Sequence, residues 1–154
     1  MRKAMLLLAV FGLVGSLWAA DPMVGTWKLN IAKSKYPPGT QAAPKQEMQV
    51  VRELDGNQLE YTLTGTRTDG SAISSKGVVP QQGGAYKGSF PEGESVFRTV
   101  IDPNSFYITV LQNGKQVEIL HVVINKDGKT MTATIKGIDA KGKPFEYLDF
   151  WDKQ

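Results

Sequence analysis

At 154 residues and a formal charge of +3, the chain is long enough for one closed core and short for two domains. With no cysteine and one histidine it excludes a disulfide scaffold and a metal site of clustered Cys and His. The charge excess sits in Arg2 and Lys3: the first 20 residues hold no acid, so without them +3 becomes +1, and no nucleic-acid surface is indicated.

Met1–Ala20 reads as a secretory signal. Arg2 and Lys3 form its basic start, Met5–Val14 its apolar run, and Ala19-Ala20 a small-residue cleavage site. The apolar run is too short to span a bilayer and has no basic stop-transfer flank. The expected mature protein is therefore Asp21–Gln154, a single domain in the periplasm or outside the cell, with no membrane span after cleavage.

From Thr26 onward, segments of alternating polarity are separated by turn signals about every twelve residues. They predict strands at Thr26–Asn30, Gln46–Leu54, Gln58–Thr66, Ser71–Val79, weakly at Ala85–Ser89, then Ser95–Asp102, Phe106–Gln112, Gln116–Asn125, Lys129–Ile138 and Lys143–Asp152. The fold class is all-β: an antiparallel up-and-down meander closed into a barrel of about 8–10 strands. Ile31–Lys45 ends its one helical-looking turn at Pro37-Pro38. Pro80–Gly93, rich in Gly, Pro and Gln, is the candidate for a mobile loop or lid.

Turn chemistry sets register, and register decides which side chains face inward. Asn113-Gly114 suits a two-residue type I′ turn and pairs Val110 with Val117, Ile108 with Ile119 and Phe106 with His121. Asn125-Lys126-Asp127-Gly128 pairs Val123 with Met131 and His121 with Ala133. Asp139-Ala140-Lys141-Gly142 pairs Ile135 with Tyr147, Ala133 with Asp149 and Met131 with Trp151. Outside, Glu118, Lys136 and Glu146 form an acid–base–acid row. At Asp55-Gly56-Asn57 the same method groups Met48, Val50, Arg52 and Leu54 with Leu59, Tyr61 and Leu63. Whether Arg98 or Phe97 points inward stays open.

The predicted inner face carries three ionisable groups, Arg52, His121 and Asp149. His121 and Asp149 flank Ala133, roughly 9–10 Å apart at Cα, close enough for their side chains to meet. They read either as a satisfied interior pair or as polar anchors for a ligand, with Arg52 as a carboxylate partner. The candidate ligand-lining set is Arg52, Tyr61, Phe106, Ile119, His121, Tyr147 and Asp149; the partner it implies is a small hydrophobic or amphipathic molecule. The predicted outer row Leu120, Val122, Leu148 and Phe150 needs a cover, either Ile31–Lys45 or another protein. No Gly-x-Ser-x-Gly elbow is present, Gly83-Gly84 opens no helix, and no carboxylates have metal-ligand spacing, so no enzyme activity, metal or cofactor is expected.

Gly25-Thr26-Trp27-Lys28-Leu29-Asn30 followed by Lys33-Ser34-Lys35-Tyr36-Pro37, Lys126–Thr132, and the ending Asp152-Lys153-Gln154 resemble a family of small secreted bacterial lipocalin-like proteins. The resemblance covers nearly the whole mature chain. It implies a calycin-type barrel and a small apolar ligand, and no established activity. The Gly-x-Trp start is also similar to the first strand of lipocalins and fatty-acid-binding proteins, where the tryptophan closes one barrel end. On that likeness Trp27 is a structural plug. The chain departs from those families in lacking an Arg-x-Tyr carboxylate clamp in its last strand and an arginine to pack on Trp27.

Overall fold

A computed structural model describes residues 20–38, 43–139 and 141–154. The expected signal segment Met1–Ala20 lies, but for Ala20, outside the described residues. Among those described there is no α-helix, and no helix long and apolar enough to cross a membrane.

Eleven strands form one antiparallel sheet. They are β1 (Gly25–Leu29), β2 (Pro44–Leu54), β3 (Gln58–Arg67), β4 (Ala72–Pro80), β5 (Gly83–Ala85), β6 (Lys87–Gly88), β7 (Glu94–Asp102), β8 (Ser105–Gln112), β9 (Lys115–Ile124), β10 (Thr130–Ile138) and β11 (Pro144–Lys153). The order is β5-β7-β8-β9-β10-β11-β1-β2-β3-β4-β6. The two edge strands, β5 and β6, are consecutive in the chain. β5 pairs with β7 and β6 with β4, so the segment crosses the seam of a nearly closed barrel at Tyr86. Pro80–Gly93 is thus wall rather than lid. Gly83 and Gly84 adopt positive φ, and Gly88 lies against the backbone of Lys76 on the partner strand.

Register departs from expectation at three points, each by one residue. The Asn113-Gly114 turn forms as predicted, with both residues at positive φ and Gln112 opposite Lys115. A bulge follows: Leu111 faces Gln116 and Val110 faces Glu118, leaving Val117 unpaired. From there Tyr107 opposes His121 and Phe106 opposes Val122. The next turn is one residue longer than expected, so Met131 opposes Ile124. The two shifts cancel. β10 and β11 keep their predicted inner faces, with Ala133 opposite Asp149 and Met131 opposite Trp151, while β9 between them is inverted. β2 is inverted as well: Leu54 pairs with Gln58 across a three-residue turn, where Gly56 and Asn57 both have positive φ.

Consequently Leu120, Val122 and Ile124 line the core, and Ile119, His121 and Val123 face out. Glu118 leaves the outer charge row, which keeps only Lys136 and Glu146, 3.3 Å apart and exposed. On β2, Val51 is buried and Arg52, Met48 and Leu54 are exposed. On β7 the open question closes with Arg98 buried and Phe97 exposed.

Candidate functional site

The barrel interior has two unlike halves. At one end β1, β7, β8, β10 and β11 bring together Trp27, Arg98, Phe106, Met131 and Trp151, all buried. Trp27 is 0% exposed and its indole Nε1–H donates to the carbonyl of Met23 at 2.8 Å. Lys153 Nζ sits 5.0 Å from the Trp27 ring centre, so a lysine takes the place of the missing arginine. Trp27 is thus a fully buried member of the core at this end. A small cavity of about 20 Å³ is bordered by Gln49, Tyr61, Tyr86, Arg98 and Phe106.

At the other end the inward-facing residues are only partly buried. β2 contributes Glu47 and Gln49, β3 Leu63, β9 Glu118 and Leu120, and β11 Phe145, Tyr147 and Asp149. Tyr36 joins them from the connection after β1. Asn30 accepts the backbone N–H of Ser34, turning the chain, and Lys35 then forms a single bridge with Leu148. That bridge sends Tyr36 inward, where its hydroxyl donates to Asp149 Oδ1 at 2.5 Å. The Tyr36 and Tyr147 rings lie 5.6 Å apart, and Phe145 stacks on Tyr147 at 5.8 Å.

This mouth is acidic yet reluctant to ionise. Burial pushes Asp149 up to about 6, partly opposed by the Tyr36 hydrogen bond. Burial, then the charge of Asp149, pushes Glu47 up to about 7, with Arg67 pulling it back. Glu118 is also raised, by burial and then by Glu94 and Asp149. Burial raises the Tyr36 and Tyr147 hydroxyls, so both remain protonated donors. The three carboxyls and the tyrosines therefore lie near one another at this end and offer acceptors and aromatic faces.

Of the residues expected to line a ligand, Tyr61, Tyr147 and Asp149 face the interior, and Tyr61 bonds Ser75 Oγ at 2.9 Å. Phe106 is interior too, but it lies in the sealed half. Arg52, Ile119 and His121 are on the outside, a correction that follows from the β2 and β9 inversions. His121 and Asp149 thus stand on opposite faces of the sheet and cannot meet. His121 instead stacks on Tyr107 at 4.7 Å, with Ser105 Oγ 3.1 Å from its Nε2. The expected outer row also breaks up: Val122 is buried and Leu120 packs on the core, leaving Leu148 and Phe150 outside. Lys33 Nζ covers the Phe150 ring at 4.6 Å. Sequence reasoning missed Tyr36, Glu47 and Glu118, and left the burial of Arg98 open. Among the described residues no group of three or more His, Cys, Asp or Glu could hold a metal ion.

Comparison with solved structures agrees with this architecture. The fluorescent protein UnaG matches over 87% of this chain and 98% of its own, with a TM-score of 0.57 at 12% identity. Rv2717c from M. tuberculosis matches over 92% and 99%, with a TM-score of 0.57 at 16% identity. The fold is that of a lipocalin-like barrel. At such identities the likeness concerns the fold alone. No family model matches the sequence, and no curated protein does.

Proposed function

We propose that this lipocalin-like barrel binds a small amphipathic molecule in its mouth, with an apolar or aromatic body and a cationic or hydrogen-bond-donating head. The observation that carries the reading is the asymmetry of burial: the interior is sealed around Trp27 and partly solvent-exposed around Tyr36, Tyr147 and Asp149. Phe145, Tyr147, Leu63 and Leu120 supply apolar contact. Asp149, Glu47 and Glu118 supply acceptors, and a cation placed among them would recover part of their desolvation. The same acidic mouth disfavours a fatty acid. Export through Met1–Ala20 belongs to the proposal; N-terminal sequencing of the protein from its host would show a start at Ala20 or Asp21 if cleavage occurs there.

Binding is tested with the neutral dye Nile red, displaced by dodecylamine, dodecanol or dodecanoate. The expected result at pH 8 is displacement by the amine at roughly tenfold lower concentration than by the acid, about 1.4 kcal/mol. Because Asp149 and Glu47 lose their protons near pH 6 and 7, amine affinity should rise from pH 5 to pH 8. Failure of all four molecules to bind overturns the ligand reading. Equal displacement by amine and acid overturns only the head-group preference.

A further inference from the structure

β1 stops short of the mouth. It pairs with β11 only from Trp151 to Lys153 and with β2 only from Met48 to Val51. Residues 144–150 of β11 and 44–47 of β2 run on with no strand between them among the described residues. A missing strand leaves its neighbours about 10 Å apart, twice the usual spacing. The barrel wall is therefore broken at the mouth, with Asp149 on one side of the break and Glu47 on the other.

Residues 30–36 run along this break and are attached on one side. The Asn30 N–H donates to the Phe150 carbonyl at 2.7 Å, and Lys35 and Leu148 exchange backbone bonds of 2.8 and 3.0 Å. The Phe150 N–H donates to Ser34 Oγ at 3.0 Å, and Asn30 Nδ2 donates to Asp152 Oδ2 at 2.6 Å. Among the described residues no hydrogen bond joins residues 30–36 to β2. Tyr36 stands between the two sides: its hydroxyl donates to Asp149 and lies close enough to Glu47 to feel its charge. Ile31, Ala32, Lys33 and Lys35 are exposed, and Asn30, Ser34 and Tyr36 are only partly buried. Little apolar area holds the segment shut, which is the condition for local opening.

We propose that residues 30–36 are a gate in the barrel wall: the segment peels from β11 with Asn30 as hinge and Tyr36 as latch, and small molecules enter and leave the mouth through the break between β2 and β11. The opening belongs to the chain itself. Its use for ligand traffic rests on the mouth being a binding site.

Hydrogen exchange reads the opening with no ligand present. The amides of Asn30, Lys35 and Leu148 should exchange at least roughly tenfold faster than those inside the β10–β11 ladder. Tyr36→Phe keeps the ring and removes a hydrogen bond to a carboxylate. It should speed those three amides by roughly another tenfold and leave the ladder unchanged. Stopped-flow mixing with Nile red reads the traffic. Tyr36→Phe should speed binding and release together, whereas loss of a ligand contact would speed release alone. Lys35 and Leu148 form a hydrogen-bonded pair, with Cα atoms about 5.5 Å apart and within disulfide reach, in a chain that has no cysteine. Lys35→Cys with Leu148→Cys should slow both rates at least roughly tenfold when oxidised and return to wild-type rates on reduction. Amides of residues 30–36 that exchange only with global unfolding overturn the gate. Rates unchanged by the closed disulfide overturn its part in ligand entry. If Nile red does not bind at all, the ligand reading fails and the exchange rates alone decide the gate.

Discussion

The plug and the mouth are built from the same strands and obey opposite rules. β11 shows this within one side-chain row. Trp151 is buried against Met131 and Trp27, whereas Asp149, Tyr147 and Phe145 are only partly buried. The plug end gains stability from apolar area withdrawn from water, and its one charged member is covered by an aromatic ring. The mouth holds carboxyls in a place that disfavours their charge, which is a cost to the folded state. A region that loses stability to keep reactive or binding groups in place is the usual signature of a functional site, and here it faces solvent.

The comparison breaks if the plug is not where stability resides. Trp27→Ala removes a fully buried indole and its hydrogen bond to Met23, and should lower unfolding free energy by about 3–5 kcal/mol. Tyr147→Ala, truncating a half-buried ring in the mouth, should lose clearly less in the same urea titration while weakening Nile red binding. Equal losses would mean that the two halves form one undivided core.

A second break targets the inversion of β9. A Cβ on Gly137 would lie 2.7 Å from the carbonyl oxygen of Val117, the bulged residue, and 2.5 Å from Phe145 Cζ. Gly137→Ala must therefore push on the bulge backbone. The expected loss is about 1–3 kcal/mol by urea unfolding. Gly114→Ala has open space around its Cβ and tests only the conformational demand of positive φ.

The third prediction separates the halves by pH. Asp149 and Glu47 have folded-state values raised to about 6 and about 7, above those of an unfolded chain. The folded protein thus binds more protons than the unfolded one over roughly pH 4–7, and stability falls as pH rises through that window. Asp149→Asn should flatten the lower part of this slope and, at pH 8, raise stability by about 1–2 kcal/mol. The same variant should bind dodecylamine more weakly. Gaining stability and losing affinity together is the outcome that marks Asp149 as a mouth residue rather than a structural one. Thermal unfolding scans at pH 5 and 8 read the first effect, and dye displacement reads the second.

Much of the architecture was legible in the sequence. The antiparallel all-β class and the pairing of β10 with β11 followed from alternation and turn residues, whereas the strands number eleven against the 8–10 expected and the reading of Trp27 as a plug came from the family likeness alone. A turn signal fixes register only until the first bulge, and a bulge is made by the backbone of one strand answering the other. The missing clue for β9 lay across the sheet, at Gly137, a strand glycine without positive φ. Gly65 on β3 plays the same part, with a would-be Cβ running into the Gln46 carbonyl beside the irregular start of β2. Tyr36 was illegible for another reason: one bridge between Lys35 and Leu148 sends it inward, and no periodicity encodes one bridge. Glu118 was assigned outward because the turn register was carried through β9 without its bulge, and Glu47 was assigned no face at all.

The smallest effects sharpen the register most. Had β9 kept its expected face, Glu118 would flank Lys136 on the surface, and Glu118→Gln would lose a few tenths of a kcal/mol in a salt-dependent way. With the bulge in place Glu118 faces inward, opposite Gly137, and is raised by burial. Glu118→Gln should then leave stability unchanged or higher at pH 8, with no dependence on salt. Lys136→Gln should lose a few tenths of a kcal/mol, since its one carboxylate, Glu146, is as exposed as Lys136 itself. A double-mutant cycle between Glu118 and Lys136 should give no coupling, whereas Lys136 with Glu146 should give a small coupling that fades at high salt. Coupling at Glu118 would return β9 to its uninverted face, place His121 back beside Asp149, and take Glu118 out of the mouth.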